Sequence, residues 1–144
     1  LCGAARQPGY LEALHRFTRK CAMADVHFTG PVSERRLASL LIGARAYIGM
    51  SDHEGLCIPP LEAASLGIPV VIKGAGAVPE TMQDAAIVLP SDATPQLAAE
   101  ALHIALADAD LRLRLKVKGH LRAAEFAEHQ SVERAAHLLL GAAS

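Results

Sequence analysis

Ser51-Asp52-His53-Glu54-Gly55-Leu56-Cys57-Ile58-Pro59-Pro60-Leu61-Glu62-Ala63-Ala64 is the stretch on which the reading of this chain turns. A short apolar run, Ala46-Tyr47-Ile48-Gly49-Met50, leads into it. A second run, Ile68-Pro69-Val70-Val71-Ile72, rich in β-branched residues, follows it. Between the two, a glycine turn and a double proline open an apolar-periodic segment that stops at Gly67. Strand, loop, helix and strand in that order make a βαβ unit, with parallel strands and a right-handed crossover. In such sheets ligands bind beyond the carboxyl ends of the strands, and the loop at 51–59 occupies such an end.

The chemistry of the loop follows from its residue types. Proline is well tolerated at the first helical positions, where its missing N–H would have no partner anyway. Glu62 is expected in the first helical turn, where the helix dipole favours a carboxylate. Glu54 is expected on the loop that approaches this turn. The main-chain N–H groups of Leu56, Cys57 and Ile58 are left to face the crevice, and donors ahead of a helix N-terminus suit phosphate or sugar oxygens. Carboxylates suit vicinal hydroxyls, each accepting two hydrogen bonds. One short stretch thus has the means to hold a ribose, a phosphate and a sugar. On spacing alone, a Glu62 that only caps its helix and a solvated Glu54 fit equally well.

Composition narrows the field. The 144 residues suit one domain, and 51% of them are hydrophobic, enough for a core. Aromatics make up 3%, there is no tryptophan, and the formal net charge is −1. Basic patches interleaved with aromatics are absent, so no nucleic acid is expected as a partner. No apolar run approaches the roughly 18 residues of a membrane-spanning helix, and no signal peptide is expected. Cys2, Cys21 and Cys57 fit reduced thiols better than a disulfide framework or a zinc site. These features give an expectation of a cytoplasmic protein. Asp52, His53 and Glu54 are adjacent in a loop and rarely converge on one ion, so no metal is expected. Gly74-Ala75-Gly76-Ala77-Val78-Pro79 lacks the third glycine of a dinucleotide-binding fingerprint, and no G-x-S-x-G elbow is present.

The remaining elements follow from period and punctuation. Residues 9–24 read as a helix with Leu11, Leu14, Phe17 and Cys21 on one face. Val26-His27-Phe28 reads as a short strand. Ser33 reads as the cap of a helix carrying Leu37, Leu40, Leu41 and Ala44. Lys73, at a strand end before a turn into a helix near Pro79, has the reach for an anionic ligand, but a solvated surface lysine is the expected reading. Residues 86–89 form the last strand, and Thr94-Pro95 opens a helix to about Asp108. Asp110 is expected to cap a helix with Leu113, Val117, Leu121 and Ala124 at helical spacing; Arg112, Arg114, Lys116 and Lys118 have the look of a lipid or phosphate patch, but a solvated helix face is the expected reading. Ser131 is expected to cap a separate last helix, 132–140. The fold class is α/β, a Rossmann-like parallel sheet flanked by helices. Its strands are expected near 1–3, 26–28, 46–50, 69–72 and 86–89.

The spacing Glu54-x7-Glu62 in the context SDHEGLCIPPLEAASLGIPVV resembles the donor-site signature of retaining GT-B glycosyltransferases of the family 4 group. The likeness extends back to Val26-His27-Phe28-Thr29-Gly30 and forward to Gly74-Ala75-Gly76-Ala77-Val78-Pro79-Glu80, and covers most of residues 1–130. Leu56 stands where the family has phenylalanine, and Cys57 where it has glycine. The resemblance implies that residues 1–144 are part of the carboxyl-terminal, nucleotide-sugar-binding domain of a GT-B fold, the amino-terminal acceptor domain being absent along with the first strand and diphosphate-holding turn. It implies the donor half of a retaining glycosyltransferase that moves a hexose from a nucleotide sugar to a sugar or lipid acceptor, as in polysaccharide biosynthesis. The fragment alone is expected to be inactive. Glu54 is the implied catalytic residue, aligning the hexose without acting as a nucleophile. Gly55, Leu56, Cys57, Ile58 and Glu62 join it in donor binding, and Gly30 and Val32 lie beside the nucleobase. No metal or cofactor is implied beyond the donor itself. Contact with a membrane is expected to be peripheral only, at its inner face. The competing class is a non-catalytic nucleotide-sugar-binding or protein-interaction module.

Overall fold

Val70, Val71 and Ile72 are almost wholly removed from solvent, as a central strand covered on both faces requires. They belong to β2 (Val70–Lys73), which pairs in parallel with β1 (Tyr47–Gly49) on one side and β3 (Ile87–Leu89) on the other. The sheet order is β1-β2-β3, with Tyr47 opposite Val70 and Lys73 opposite Leu89. The computed structural model describes residues 9–141, and side chains through residue 128. The chain divides into two compact units, Leu1–Leu40 and Leu41–Ser144.

In the first unit lie α1 (Tyr10–Lys20) and most of α2 (Glu34–Ile42). Ser33 caps α2 as its sequence predicts: its Oγ accepts from Arg36 N–H at 3.3 Å and its carbonyl from Leu37 N–H at 2.9 Å. Two expectations fail here. Residues 26–28 form no strand. The apolar stripe of α1 is not a core face, since Leu11, Phe17 and Cys21 are exposed and no residue of the helix is buried. The ring of Phe28 packs instead on His15, centroids 4.3 Å apart. The strand expected near 1–3 lies outside the described residues.

The second unit carries α3 (Ile58–Ser65) between β1 and β2, and α4 (Val78–Met82) with a single 3₁₀ turn (Gln83–Ala85) between β2 and β3. Then come α5 (Pro95–Ala107) and α6 (Ala109–Gly141). Val71, Leu89, Ala98, Ala101 and Ala105 form the core between the sheet and α5. Thr94 caps α5, accepting from Leu97 N–H at 3.3 Å. Gly67 ends α3 in the left-handed region (φ +73°). There the N–H of Gly67 reaches the Ala64 carbonyl at 2.9 Å, and that of Ile68 the Ala63 carbonyl at 3.1 Å, the paired bonds of a Schellman stop.

The last two helices expected from sequence are one. α6 runs 33 residues through Ser131, and its cap is Asp108, whose Oδ1 accepts from Leu111 N–H at 2.9 Å, not Asp110. Its buried face also differs from the expected one: Leu113, Val117 and Leu121 are 62%, 50% and 56% exposed, while Leu115 and Gly119 face inward. Gly119 is what lets α6 approach α3. A Cβ there would lie 2.5 Å from the Ala64 carbonyl oxygen and 3.1 Å from its Cβ. Arg122 adds a polar clasp, its Nε donating to the Thr81 carbonyl and its Nη2 to the Glu80 carbonyl, both at 2.8 Å. The carbonyls at the end of α4 thereby gain the cationic partner that a helix C-terminus favours. Among the described residues, no helix is long and apolar enough to cross a membrane.

Two outcomes follow for stability. In an open helix, replacing glycine by alanine stabilises by about 0.8–1 kcal/mol. At position 119 the added methyl meets backbone, and overpacking of that kind costs about 1–3 kcal/mol. Gly119→Ala should therefore lower the chemical-denaturation stability rather than raise it. The second concerns Lys118 and Asp84, 2.8 Å apart. The hydrogen bond from Lys118 holds the Asp84 carboxyl below its ordinary 3.8. The hydrogen bond to Asp84 and its charge raise Lys118 above 10.5. The Asp84 contribution is complete above pH 3.8 and is lost as pH falls through the depressed value, while that of Lys118 is complete below pH 10.5 and lost above it. Melting curves of the wild type and Asp84→Asn should differ slightly at neutral pH, more so at low salt, and converge in acid.

Candidate functional site at the carboxyl edge of the sheet

Three parallel strands end at one edge, so the segments leaving β1 and β2 are neighbours by construction. The segment after β1 runs from Met50 to Cys57 and carries Glu54; the segment after β2 is Gly74-Ala75-Gly76-Ala77. They touch through backbone. The N–H of Ala77 donates to the Glu54 carbonyl at 3.3 Å. Gly76, at φ +59°, passes so close that a Cβ on it would sit 2.2 Å from that carbonyl oxygen. No side chain other than hydrogen fits there, and the backbone conformation also favours glycine. The glycine-rich turn thus serves to seat the Glu54 loop. Gly74 is fastened in turn to the third strand, its N–H donating to the Leu89 carbonyl at 2.8 Å.

A second tie joins the same segments. Lys73, the last residue of β2, extends its Nζ to Oδ1 of Asp52. Its side chain is 15% exposed, so the expectation of a solvated lysine fails, whereas that of Asp52 is 89% exposed. Sequence reasoning missed this pair. A lysine at the carboxyl end of a buried strand was the available signal, because a side chain there has to cross the rim of the sheet. The hydrogen bond from Lys73, and then its charge, hold the Asp52 carboxyl below the usual range.

Cys57 closes the loop as the residue before α3. It adopts φ 53°, ψ 36°, in the left-handed region, and its residue is 3% exposed. The thiol donates to the Gly55 carbonyl at 3.6 Å. Burial, and secondarily the negative charge of Glu54, push its pKa up. Leu56 is exposed, Glu54 half-buried. Among the described residues, no hydrogen bond uses the main-chain N–H of Leu56, Cys57 or Ile58. These donors stand at the positive end of α3, as the sequence implies, and next to a carboxylate-bearing loop.

Glu62 is displaced from its expected place. Helix α3 begins at Ile58, with the prolines already inside its first turn, so Glu62 lies one turn further along. The prolines stand in the first turn, as their sequence position predicts, and the residue ahead of the helix is Cys57, in the left-handed region. The Glu62 side chain is exposed, while its neighbours Leu61, Ala63 and Ala64 are buried. Its carbonyl accepts from Ser65 Oγ at 2.7 Å. The carboxylate is thus offered to solvent rather than spent on capping. Of the other expected site residues, Gly30 and Val32 belong to the first unit, with Gly30 at φ +63° and Val32 half-buried.

This geometry can be set beside known proteins. The family described as "Glycosyl transferases group 1" matches residues 1–122. The chain is 35% identical over 111 residues to the MMP alpha-(1->4)-mannosyltransferase of Mycolicibacterium hassiacum, covering 74% of this chain and 26% of that protein. It is 31% identical over 101 residues to the O-antigen chain mannosyltransferase B of Escherichia coli, covering 70% and 26%. The chain therefore matches about a quarter of the length of each of these relatives. Sucrose-phosphate synthase from Thermosynechococcus elongatus superposes with a TM-score of 0.74 over 97% of this chain and 37% of that one, at 21% identity, a likeness of fold. The parallel sheet and its helices have the architecture of a GT-B glycosyltransferase domain, and this chain belongs to the group 1 glycosyl transferases.

Proposed function

We propose that residues 1–144 form part of the donor-binding domain of a longer, retaining glycosyltransferase that takes a hexose from a nucleotide sugar to a sugar or lipid acceptor. The observation that carries this reading is the set of unclaimed N–H groups at Leu56, Cys57 and Ile58, placed beside Glu54 at the carboxyl edge of a parallel sheet. Donors at a helix N-terminus are matched to phosphate and sugar oxygens, and a carboxylate on the same rim is matched to sugar hydroxyls. Both curated relatives named above are mannosyltransferases, which favours mannose as the hexose and polysaccharide or glycolipid assembly as the setting. The proposed setting is the cytoplasm, with any membrane contact peripheral. No resident metal or cofactor enters the scheme.

The residues take separate parts. Glu62, exposed on α3, accepts hydrogen bonds from the ribose hydroxyls. Glu54 meets the transferred hexose and aligns its anomeric carbon. The N–H groups of Leu56, Cys57 and Ile58 hold oxygens of the sugar or the phosphate. Gly30 and Val32 border the nucleobase. No side chain is assigned as nucleophile; the leaving phosphate assists deprotonation of the acceptor on the same face.

The two glutamates provide the test. Hydrogen bonds to a charged group contribute about 1.5–3 kcal/mol each. Glu62→Ala in the full-length enzyme should weaken nucleoside diphosphate and nucleotide sugar alike, by about tenfold or more. Glu54→Ala should leave the bare diphosphate almost untouched and lower transfer by a larger factor, because the hexose is no longer aligned for attack. Calorimetric titration of both variants with the nucleoside diphosphate, beside transfer rates, separates the roles. Equal loss of the bare diphosphate in both variants overturns the division. Binding of nucleotide sugar with no transfer to any acceptor by the wild type would favour the non-catalytic module.

A further inference from the structure

We propose that Lys73, acting through Asp52, is a positioning residue for the loop that carries Glu54. The inference rests on the donor-binding reading and adds a residue to it. Lys73 occupies the carboxyl end of the central strand, with its side chain mostly withdrawn from water and its ammonium on the Asp52 carboxylate. An ammonium so placed needs a partner, since an unpaired charge is costly to bury. The loop supplies that partner. Because Asp52 is almost fully exposed, the pair adds little to global stability. Its consequence is geometric. Asp52 is fastened by its side chain, and Glu54, two residues on, by its carbonyl to Ala77. Both fasteners come from residues 73–77, the last residue of β2 and the turn that follows it. The loop is thereby referenced twice to the most deeply buried strand of the fold, once through a charge and once through backbone.

Lys73 does not need to touch the donor to matter under this arrangement. It fixes where the loop begins, and the tie at Glu54 fixes where it turns. The carboxylate between these ties and α3 then has a restricted set of positions relative to the N–H groups at 56–58. Catalysis by alignment is sensitive to displacements of that scale.

The test uses the full-length enzyme with Lys73→Met, Asp52→Asn, the double variant and Lys73→Arg. Each single variant should lower kcat by about tenfold, with affinity for the nucleoside diphosphate kept within about twofold. The double variant should be no worse than either single, because the two groups act as a unit, and Lys73→Arg should recover most of kcat. Amide hydrogen exchange at residues 53–57 should speed up in the single variants and not in Lys73→Arg. An unchanged kcat in the single variants overturns the proposal, and so do additive losses in the double variant. A tenfold loss of diphosphate affinity in Lys73→Met alone would make Lys73 a donor contact, and also overturns it. If the wild type binds no nucleoside diphosphate and transfers no sugar, the donor-binding reading fails. The exchange rates then decide the loop-positioning claim alone, and unaltered exchange in both single variants rejects it.

Discussion

The carboxyl edge of this sheet depends on one close approach. The main chain at Gly76 passes within a methyl group's width of the Glu54 carbonyl, and a Cβ there would lie at 2.2 Å. Only this proximity lets the N–H of Ala77 reach the same carbonyl. The loop after β1 is therefore not a free excursion between a strand and a helix. It is one wall of a two-loop structure whose other wall is the glycine-rich turn after β2. The course of the chain from Glu54 to the start of α3, and with it the direction of the N–H groups at 56–58, is inherited from that contact.

Support from below comes from a single long helix. α6 meets α3 at the Ala64–Gly119 contact, where two small residues allow backbone to approach backbone. It meets the end of α4 through Arg122, which serves the carbonyls of both Glu80 and Thr81. α3 starts at the Glu54 loop and α4 starts at the glycine-rich turn. The two helices that border the site thus rest on the same partner. A shift of α6 would be felt by both walls together, which preserves their relation to each other better than two independent supports would.

The sequence made the architecture legible where local pattern and tertiary environment agree. The β-branched run at 69–72, the alternation of strand and helix, the caps at Ser33 and Thr94 and the stop at Gly67 all depend on local spacing or on backbone preference, and all appear in the structure. The failures share a different cause. Residues 26–28 have the composition of a strand but find no ladder among the described residues. Leu113, Val117 and Leu121 make a regular stripe, yet α6 turns Leu115 and Gly119 inward instead. Choosing between these faces needed the small residue on α3 that admits a close approach, and that is information 55 positions away (119 against 64). Arg122 was likewise illegible, since its partners lie 41 and 42 residues back and are carbonyls, which every residue possesses. The Asp52–Lys73 pair spans 21 residues and was hidden for the same reason.

Cys57 shows how the loop can depart from its family pattern and keep its shape. The family to which the loop is similar has glycine here, and the backbone explains it, for φ 53° and ψ 36° lie in the left-handed region. A residue with a Cβ gives up about 1–2 kcal/mol in that conformation. In this chain the thiol is 3% exposed and bonded to the Gly55 carbonyl two residues back. Burying a small apolar side chain offsets part of the backbone cost, by about 25 cal/mol for each Å² withdrawn from water. Burial favours the neutral form that a thiol already has at physiological pH, so a second negative charge is not added beside Glu54. A serine of similar size would bring a stronger demand for hydrogen bonds, and an aspartate would bring the charge itself. The loop's left-handed reversal before α3 is thus retained with a side chain that can be buried uncharged, which leaves the neighbouring N–H groups unobstructed by a competing local acceptor.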